Sequence, residues 1–291
     1  MEQKTVAIIG ASGLIGSALA QAYEGKSWKV IRISRKAKEV SGQTWKVYSA
    51  EAIVGADVVI NLSGASIARR WTDSYKKVMR DSRVGVAEDL ASWIKASDQP
   101  PRVWVNASAV GIYGDSDDEI LVESSVAGAS YIGKLCEDWE NATSLESSSC
   151  RVVNPRIGVV LGGGAESWER MVLPFKLFIG GRLSSGKQYF PWMHIRDVVG
   201  AIMHCVDKET ISGPVNLVAP EQVTNAVFTK KLASHLNRPA IFTVPRFALK
   251  LILGGFTDAL LASLRVDPLV LKATGYQFQQ PQLNQVLELE L

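Results

Sequence analysis

The chain has 291 residues, 47% of them apolar and 21% charged, the balance of an ordinary soluble globular protein of one or two domains. That composition excludes intrinsic disorder, collagen-like repeats and a membrane bundle. Thirty-two Lys and Arg against 29 Asp and Glu leave a formal net charge of only +3, so the chain carries no broad electrostatic footprint for nucleic acid.

Thr5–Ile9 is a short apolar run ended by Gly10, the pattern of a parallel strand buried on both faces. The uncharged stretch from Thr5 to Tyr23 imitates a signal peptide, but Gly10, Gly13 and Gly16 with Ser12 and Ser17 interrupt it, as in a glycine-rich turn. No other uncharged run is long enough to span ~30 Å of hydrocarbon. Leu14, Ile15, Ala18, Leu19 and Ala22 then recur at helical spacing. Residues 29–33 predict a second strand, 44–48 a weaker one and 57–62 a fourth. A long helix is expected over 73–96, a strand over 102–108, a helix over 128–146 and a strand over 151–161. This alternation predicts an α/β fold, a doubly wound parallel sheet with right-handed crossovers and helices on both faces.

After Leu161 the grammar changes. Gly162-Gly163-Gly164, Gly180-Gly181, Pro174, Pro191 and Pro214 punctuate shorter elements. Thr224 fits the N-cap of a helix reaching about Leu236, and further helices are expected over 244–253 and 256–264. Residues 1–161 therefore read as a parallel-sheet unit that later segments complete, and 162–291 as a smaller C-terminal lobe closing over it. Ser147-Ser148-Ser149 reads as an exposed loop. Cys136, Cys150 and Cys205 form no CxxC pair and read as buried thiols in a reducing cytoplasm. His194, His204 and His235 show no metal-ligand spacing, so no metal site is expected.

The strongest local signal is Gly10-Ala11-Ser12-Gly13-Leu14-Ile15-Gly16, placed between the first strand and the first helix. Gly10 permits a tight turn, Gly13 lets backbone approach a pyrophosphate, and Gly16 lets the helix pack against the strand. The helix N-terminus then offers N–H groups to the phosphates. The second strand ends in Ser34-Arg35-Lys36-Ala37-Lys38, with no acid before Glu39. A guanidinium and a hydroxyl suit a ribose 2′-phosphate, whereas a carboxylate there would favour a free 2′-hydroxyl; this predicts NADP(H) over NAD(H). The alternative is a solvated basic turn. Asn61-Leu62-Ser63-Gly64-Ala65 follows the fourth strand and either lets backbone touch the nicotinamide-side ribose or forms a structural turn. Trp71 and Trp93 are expected to pack rather than stack on bases. Arg69 and Arg70 fit either a substrate-phosphate clamp or a solvated face.

Taken together, Gly10–Gly16, the 57–64 segment, Arg70-Trp71-Thr72 with Ser82-Arg83, and the run from Ser108 to Tyr113-Gly114 resemble the extended short-chain dehydrogenase/reductases. Trp139-Glu140, 156–162, Leu173-Pro174-Phe175, Phe190-Pro191-Trp192-Met193-His194 and Ala273-Thr274-Gly275-Tyr276 narrow the resemblance to their epimerase-family branch, once labelled cell-division inhibitor. The resemblance covers essentially the whole chain. It implies a Rossmann fold binding NADP(H), a sugar-nucleotide epimerase or dehydratase as the inherited label, and cofactor contacts from Ser34, Arg35, Leu62, Ser63, Arg83 and Val160. Arg83 occupies a position where many relatives carry Asn.

The catalytic pattern of such enzymes, a Tyr with a Lys four residues later, is displaced. The segment reads Ser130-Tyr131-Ile132-Gly133-Lys134-Leu135, so Tyr131 and Lys134 stand three apart, still on one helix face. Gly133 is expected to weaken that helix by roughly 1 kcal/mol relative to Ala. Before Tyr113-Gly114 the expected serine position holds Ala109, and Ser108 stands one place earlier. Ser108, Tyr131 and Lys134 are the catalytic candidates. His194 fits a substrate-binding or acid/base residue, or a wall histidine with Asp197 capping the following helix. Arg182 and Lys187, with Lys176, favour an anionic small-molecule substrate or line a solvated loop. Two functions follow: an NADP(H)-dependent oxidoreductase or epimerase on a carbonyl or sugar-nucleotide substrate, or an NADP(H)-binding regulatory or scaffold protein. Monomer and homodimer are both compatible with the sequence.

Overall fold

The structure is a computed structural model that describes residues 3–36, 40–145 and 149–291. Ala37, Lys38 and Glu39 of the basic turn, Glu146 at the end of an expected helix, and Ser147 and Ser148 of the expected loop lie outside the described residues.

The first five strands are β1 (Thr5–Ile9), β2 (Lys29–Ser34), β3 (Thr44–Val47), β4 (Val58–Asn61) and β5 (Val103–Asn106). Two short strands follow, β6 (Ser108–Ala109) and β7 (Ile120–Leu121), then β8 (Arg151–Ile157) and β9 (Val159–Leu161). The C-terminal half adds β10 (Gly181–Leu183), β11 (Tyr189–Phe190), β12 (Trp192–His194) and β13 (Gly213–Leu217). The central sheet is parallel, in the order β3-β2-β1-β4-β5-β8-β13. This is the doubly wound Rossmann arrangement read from the sequence. Its order reverses between β1 and β4, where such sheets open a crevice at their carboxyl ends.

Side chains alternate across the sheet. Ala7 and Ile9 of β1 and Val59 of β4 enter one core with Met79, Leu90, Ile94, Leu135 and Trp139. Val6, Ile8, Val58 and Ile60 enter the opposite core with Leu19, Tyr23, Ala201 and Ile202. Burial on both faces explains why these strands read as continuous apolar runs. Helix α1 (Leu14–Gly25) covers the second face. The expected long helix is α2 (Asp73–Arg80) and α3 (Val86–Lys95), joined without a break by a wider π-type turn at Asp81–Gly85.

Helix α4 (Tyr131–Asn141) is shorter than expected at both ends; its start is set by Ser130, which caps it by accepting from the Gly133 N–H at 3.1 Å. The reading of Gly133 as a weak point is corrected. A Cβ there would lie 2.2 Å from the Gly128 carbonyl oxygen and 3.1 Å from that of Ile112.

Helices α5 (Glu166–Lys176), α6 (Ile195–Asp207) and α7 (Asn225–His235) follow. Thr224 caps α7 as predicted, accepting from Val227 N–H. Beyond β14 (Val223–Thr224), the expected 244–253 helix is α8 (Arg246–Leu253). Pro245 holds its N-cap, and Phe242–Val244 instead forms β15 beside β10. Gly254 ends that helix, and α9 (Phe256–Leu260) stops four residues earlier than expected. The chain finishes with β16 (Arg265–Val266), α10 (Leu269–Ala273) and α11 (Leu283–Glu290).

Three carboxylates, buried Asp197 and the partly exposed Glu221 and Glu290, hold this C-terminal stretch. Asp197 sits in the first turn of α6 yet does not cap it. Its oxygens accept from the Tyr276 hydroxyl (3.0 Å) and from the N–H groups of Gln279 (2.7 Å) and Gln280 (2.8 Å), which overturns its reading as a helix cap. Glu221 accepts from Leu283 N–H and pairs with Lys231. Glu290 meets His194. Leu283, Val286 and Leu287 thereby seat in a third apolar cluster with Trp168, Phe175, Trp192 and Leu232.

Gly133→Ala is expected to lower stability by roughly 2 kcal/mol or more, because the backbone clash outweighs the ~1 kcal/mol gained in helix propensity. A thermal-unfolding midpoint equal to or above wild type would show that the two carbonyls yield.

Candidate functional site

The site is built around the amino end of α1. Gly10 closes β1 at φ +81°, and a Cβ on it would stand 2.9 Å from the Leu62 carbonyl group. A Cβ on Gly16 would reach the Gly10 carbonyl oxygen at 2.4 Å. Both glycines are therefore demanded by the protein's own backbone. Gly13 is different: its nearest neighbour would be at 3.4 Å, an ordinary contact, so packing alone does not require a glycine there. Gly13 is the N-cap residue of α1 and supplies no capping side chain, and the first turn holds no acidic residue. The N–H groups of that turn and the positive dipole end remain available to an anion. Ser12 is exposed beside them, while Leu14 and Ile15 bury their side chains against different clusters.

Ser34 ends β2, the strand next to β1. Its hydroxyl donates to the Lys36 carbonyl. Arg35 is exposed, and among the described residues it pairs with no carboxylate.

The β4 loop is clamped from two sides. Asn61, fully buried, accepts from the Ser63 N–H (3.1 Å) and hydroxyl (2.6 Å) and donates to Asn106 (2.7 Å). From the π-type turn, the Ser82 hydroxyl accepts from Ala65 N–H (3.0 Å), and Arg83 donates to the carbonyls of Ala65 (2.9 Å) and Met79 (3.3 Å). The Arg83 guanidinium lies 5.3 Å from the centre of the Trp139 ring. A Cβ on Gly64 would stand 3.1 Å from it. Burial pulls the Arg83 pKa below its usual value, and no carboxylate among the described residues neutralises it. Arg83 is thus a half-buried cation with carbonyl partners and no counter-ion among the described residues.

The catalytic candidates do not assemble. Ser108 is 3% exposed, and its hydroxyl donates to Glu140 at 2.6 Å. Glu140 in turn forms a bidentate pair with Arg156, both contacts 2.8 Å. Burial opposes the Arg156 charge, but Glu140 outweighs it and raises the pKa. Arg156 also donates to the Tyr113 hydroxyl (2.9 Å), which donates to Asn216 (2.6 Å). The expectation that Ser108 faces a substrate is thus corrected: its hydroxyl is committed inward. Tyr131 is half-buried, and its hydroxyl donates to the Lys76 carbonyl at 3.1 Å. Burial raises its pKa against the opposing charges of Arg83 and Arg80. Lys134 is exposed, and its ammonium makes no hydrogen bond or ion pair among the described residues. Trp71 packs on Tyr131 at 5.5 Å and on Phe256 at 6.1 Å, and Trp93 on Tyr48, as expected of packing residues.

Among the substrate candidates, His194 is 0% exposed and its Nε2 lies 3.0 Å from Glu290 Oε1. The same carboxylate accepts from Gly163 N–H at 3.0 Å. Direct substrate contact by His194 is therefore corrected to a wall role. Arg182 donates to Thr243 (3.0 Å), and Lys187 is exposed in the neighbouring turn. Val160 lies in β9 opposite Met193 of β12. The three cysteines are buried, and burial pushes each thiol up to about 12, leaving them unreactive. No group of side chains among the described residues is arranged to hold a metal ion.

Sequence reasoning missed the Asn61–Asn106 link and Glu290, and it gave Glu140 and Arg156 no role. Asparagines ending two adjacent strands were the available signal for the first. Nothing local marks the others.

The model of the NAD dependent epimerase/dehydratase family matches residues 6–217, and a domain of unknown function, DUF1731, matches 244–289. The epimerase family protein Mb2239 of Mycobacterium bovis is 39% identical over 295 residues, covering 99% of this chain and 97% of that protein. The human epimerase family protein SDR39U1 is 35% identical, covering 97% and 98%. A crystal structure of human SDR39U1 (isoform 2) with NADPH superposes with a TM-score of 0.91 at 33% identity, covering 98% of each chain. A nucleoside-diphosphate sugar epimerase from Corynebacterium glutamicum follows at TM-score 0.80 and 33% identity, covering this whole chain and 58% of that one. A family model over most of the chain and near full-length relatives above 30% identity agree: this chain belongs to the NAD dependent epimerase/dehydratase family, among epimerase family proteins of the SDR39U1 kind.

Proposed function

We propose that this chain binds NADP(H) and exchanges hydride with a carbonyl or sugar-nucleotide substrate. The observation that carries the reading is the first turn of α1, free of acids and of any capping side chain, at the reversal of strand order between β1 and β4. NADPH in the crystal structure of the human relative supports it. Gly10, Ser12, Gly13, Leu14, Ile15 and Gly16 would hold the diphosphate, Ser34 and Arg35 the 2′-phosphate, and Leu62, Ser63, Gly64, Arg83 and Val160 the nicotinamide half. Bound NADP(H) supplies or accepts hydride.

The protein's own contribution rests on Tyr131 and Arg83. With its pKa raised by burial, Tyr131 keeps its proton at neutral pH, and turning its hydroxyl away from the Lys76 carbonyl would let it donate to a substrate carbonyl oxygen rather than abstract a proton. Lys134, exposed, offers that phenol little help. The division at residue 161 belongs to the same proposal, 1–161 serving the dinucleotide and 162–291 the substrate, although β13 returns to the central sheet. Buried thiols suit a cytoplasmic setting. No helix among the described residues is long and apolar enough to cross a membrane, and one relative, from Arabidopsis thaliana, is described as chloroplastic.

A second reading, an NADP(H)-binding regulatory or scaffold protein, is favoured by one observation: the Ser108 hydroxyl is held by Glu140.

Calorimetric titration of NADPH and NADH is expected to show a preference for NADPH that falls about tenfold or more in Arg35→Glu, equivalent to ~1.4 kcal/mol. Equal affinities in wild type would refute the assignment of the 2′-phosphate. In NADPH-oxidation assays over carbonyls and sugar nucleotides, Tyr131→Phe is expected to lose on the order of 100-fold in turnover while still binding NADPH. Wild type and Tyr131→Phe equally inert, with binding intact, would decide for the regulatory reading. Ser108→Ala is expected to cost stability, about 1–2 kcal/mol, and to leave NADPH affinity unchanged.

A further inference from the structure

Between the β4 loop and α2 lies an open depression of about 490 Å³ lined by Arg69, Arg70, Thr72, Ser74, Tyr75 and Val78. Nothing in the cofactor reading uses it. We propose that it is an anchor for a phosphoryl group on a small-molecule substrate, with Arg69 and Arg70 as the recognising residues; this rests on the hydride-transfer reading for the word substrate alone.

Three features carry the proposal. First, both guanidiniums are exposed, adjacent in sequence and paired with no carboxylate among the described residues. Two such forks in one concavity match the several oxygens and double charge of a phosphoryl group.

Second, the segment that carries them is braced. Trp71 Nε1–H donates to the Ile67 carbonyl (2.9 Å), the Tyr75 hydroxyl donates to the Ser66 carbonyl, and backbone bonds join Arg69 N–H to Ile67 and Thr72 N–H to Arg70. Arg69 lies over the Tyr75 ring at 5.7 Å. The Arg70 stem runs past Gly254, where a Cβ would stand 3.1 Å from it. The arginines thus start from an ordered support, which reduces the entropy lost on binding. Thr72 already satisfies the Tyr75 N–H as cap of α2, so anion recognition falls to the guanidiniums and not to the helix end.

Third, the position fits a substrate. The same loop begins at the Ser82 and Arg83 clamp, and its Trp71 touches Tyr131. The segment that carries the two arginines is thus joined through Trp71 to the element that bears Tyr131. The Tyr75 ring and Val78 would meet an apolar or ring portion.

The test is calorimetric titration of phenyl phosphate and benzoate into wild type, Arg69→Ala/Arg70→Ala and Arg69→Lys/Arg70→Lys, each with and without saturating NADPH. Phenyl phosphate is expected to bind wild type in both conditions, to bind the double alanine variant at least tenfold more weakly, and to recover only in part with lysines, while NADPH affinity stays the same across the three. Benzoate binding as tightly as phenyl phosphate would overturn the phosphoryl assignment. Equal phenyl phosphate affinity in wild type and the double alanine variant, or no binding to either, would overturn the site. Failure of NADPH to bind wild type would sink the cofactor reading separately, since the nucleotide-free titrations judge the anchor without it.

Discussion

The contact on which the rest depends is the approach of backbone to backbone between Gly10 and Leu62. A single side-chain carbon at position 10 would lie 2.9 Å from the Leu62 carbonyl group, so the turn after β1 and the loop after β4 can meet only as main chain. Because they meet, the open end of α1 stands beside the Leu62–Ser63–Gly64 loop, and one crevice serves both. Gly16 fixes the other side of the geometry by seating α1 on the Gly10 carbonyl. Two glycines are spent on close packing, which leaves the third, Gly13, as the position whose small size serves something outside the protein.

On the far side of the crevice, polar groups serve a different end. Ser108, Glu140, Arg156, Tyr113 and Asn216 form a buried chain of hydrogen bonds that ties β6, α4 and β8 to β13. Buried charges are tolerated when paired in this way, and removing one partner strands the other at a cost of about 3–5 kcal/mol. Ser108 and Tyr113, at or beside the family's Ser and Tyr-Gly positions in sequence, thus carry structural load. Arg83, on the turn between α2 and α3, pairs with no carboxylate among the described residues and lies against Trp139 of the same α4, so its charge comes from a different helix than the sequence pattern of a reductase suggests.

The legible parts of the sequence were those whose physics is local. The glycine spacing of Gly10–Gly16, the apolar runs of the parallel strands and the Thr224 cap each depend on neighbours within a turn or two. What stayed hidden depends on distant partners. Whether the Ser108 hydroxyl faces a crevice or Glu140 is decided by a residue 32 positions away. Asp197 looked like a helix cap because caps are local, but its partners are 79 to 83 positions downstream. Gly133 looked like a defect because helix propensity is all that a local reading weighs, whereas the decisive neighbours are the carbonyls of Gly128 and Ile112. The shortened α8 and the strand before it follow from Pro245 and from pairing with Gly181–Leu183, of which only the proline was visible.

The Glu290 carboxylate joins His194, 96 residues earlier, and Gly163, 127 residues earlier. Contacts of such separation form late, since the entropy of closing the intervening chain must be met before they return anything. The three left-handed glycines at 162–164 are thus held to the far end of the chain, so a change in α11 reaches this loop through the Gly163 N–H.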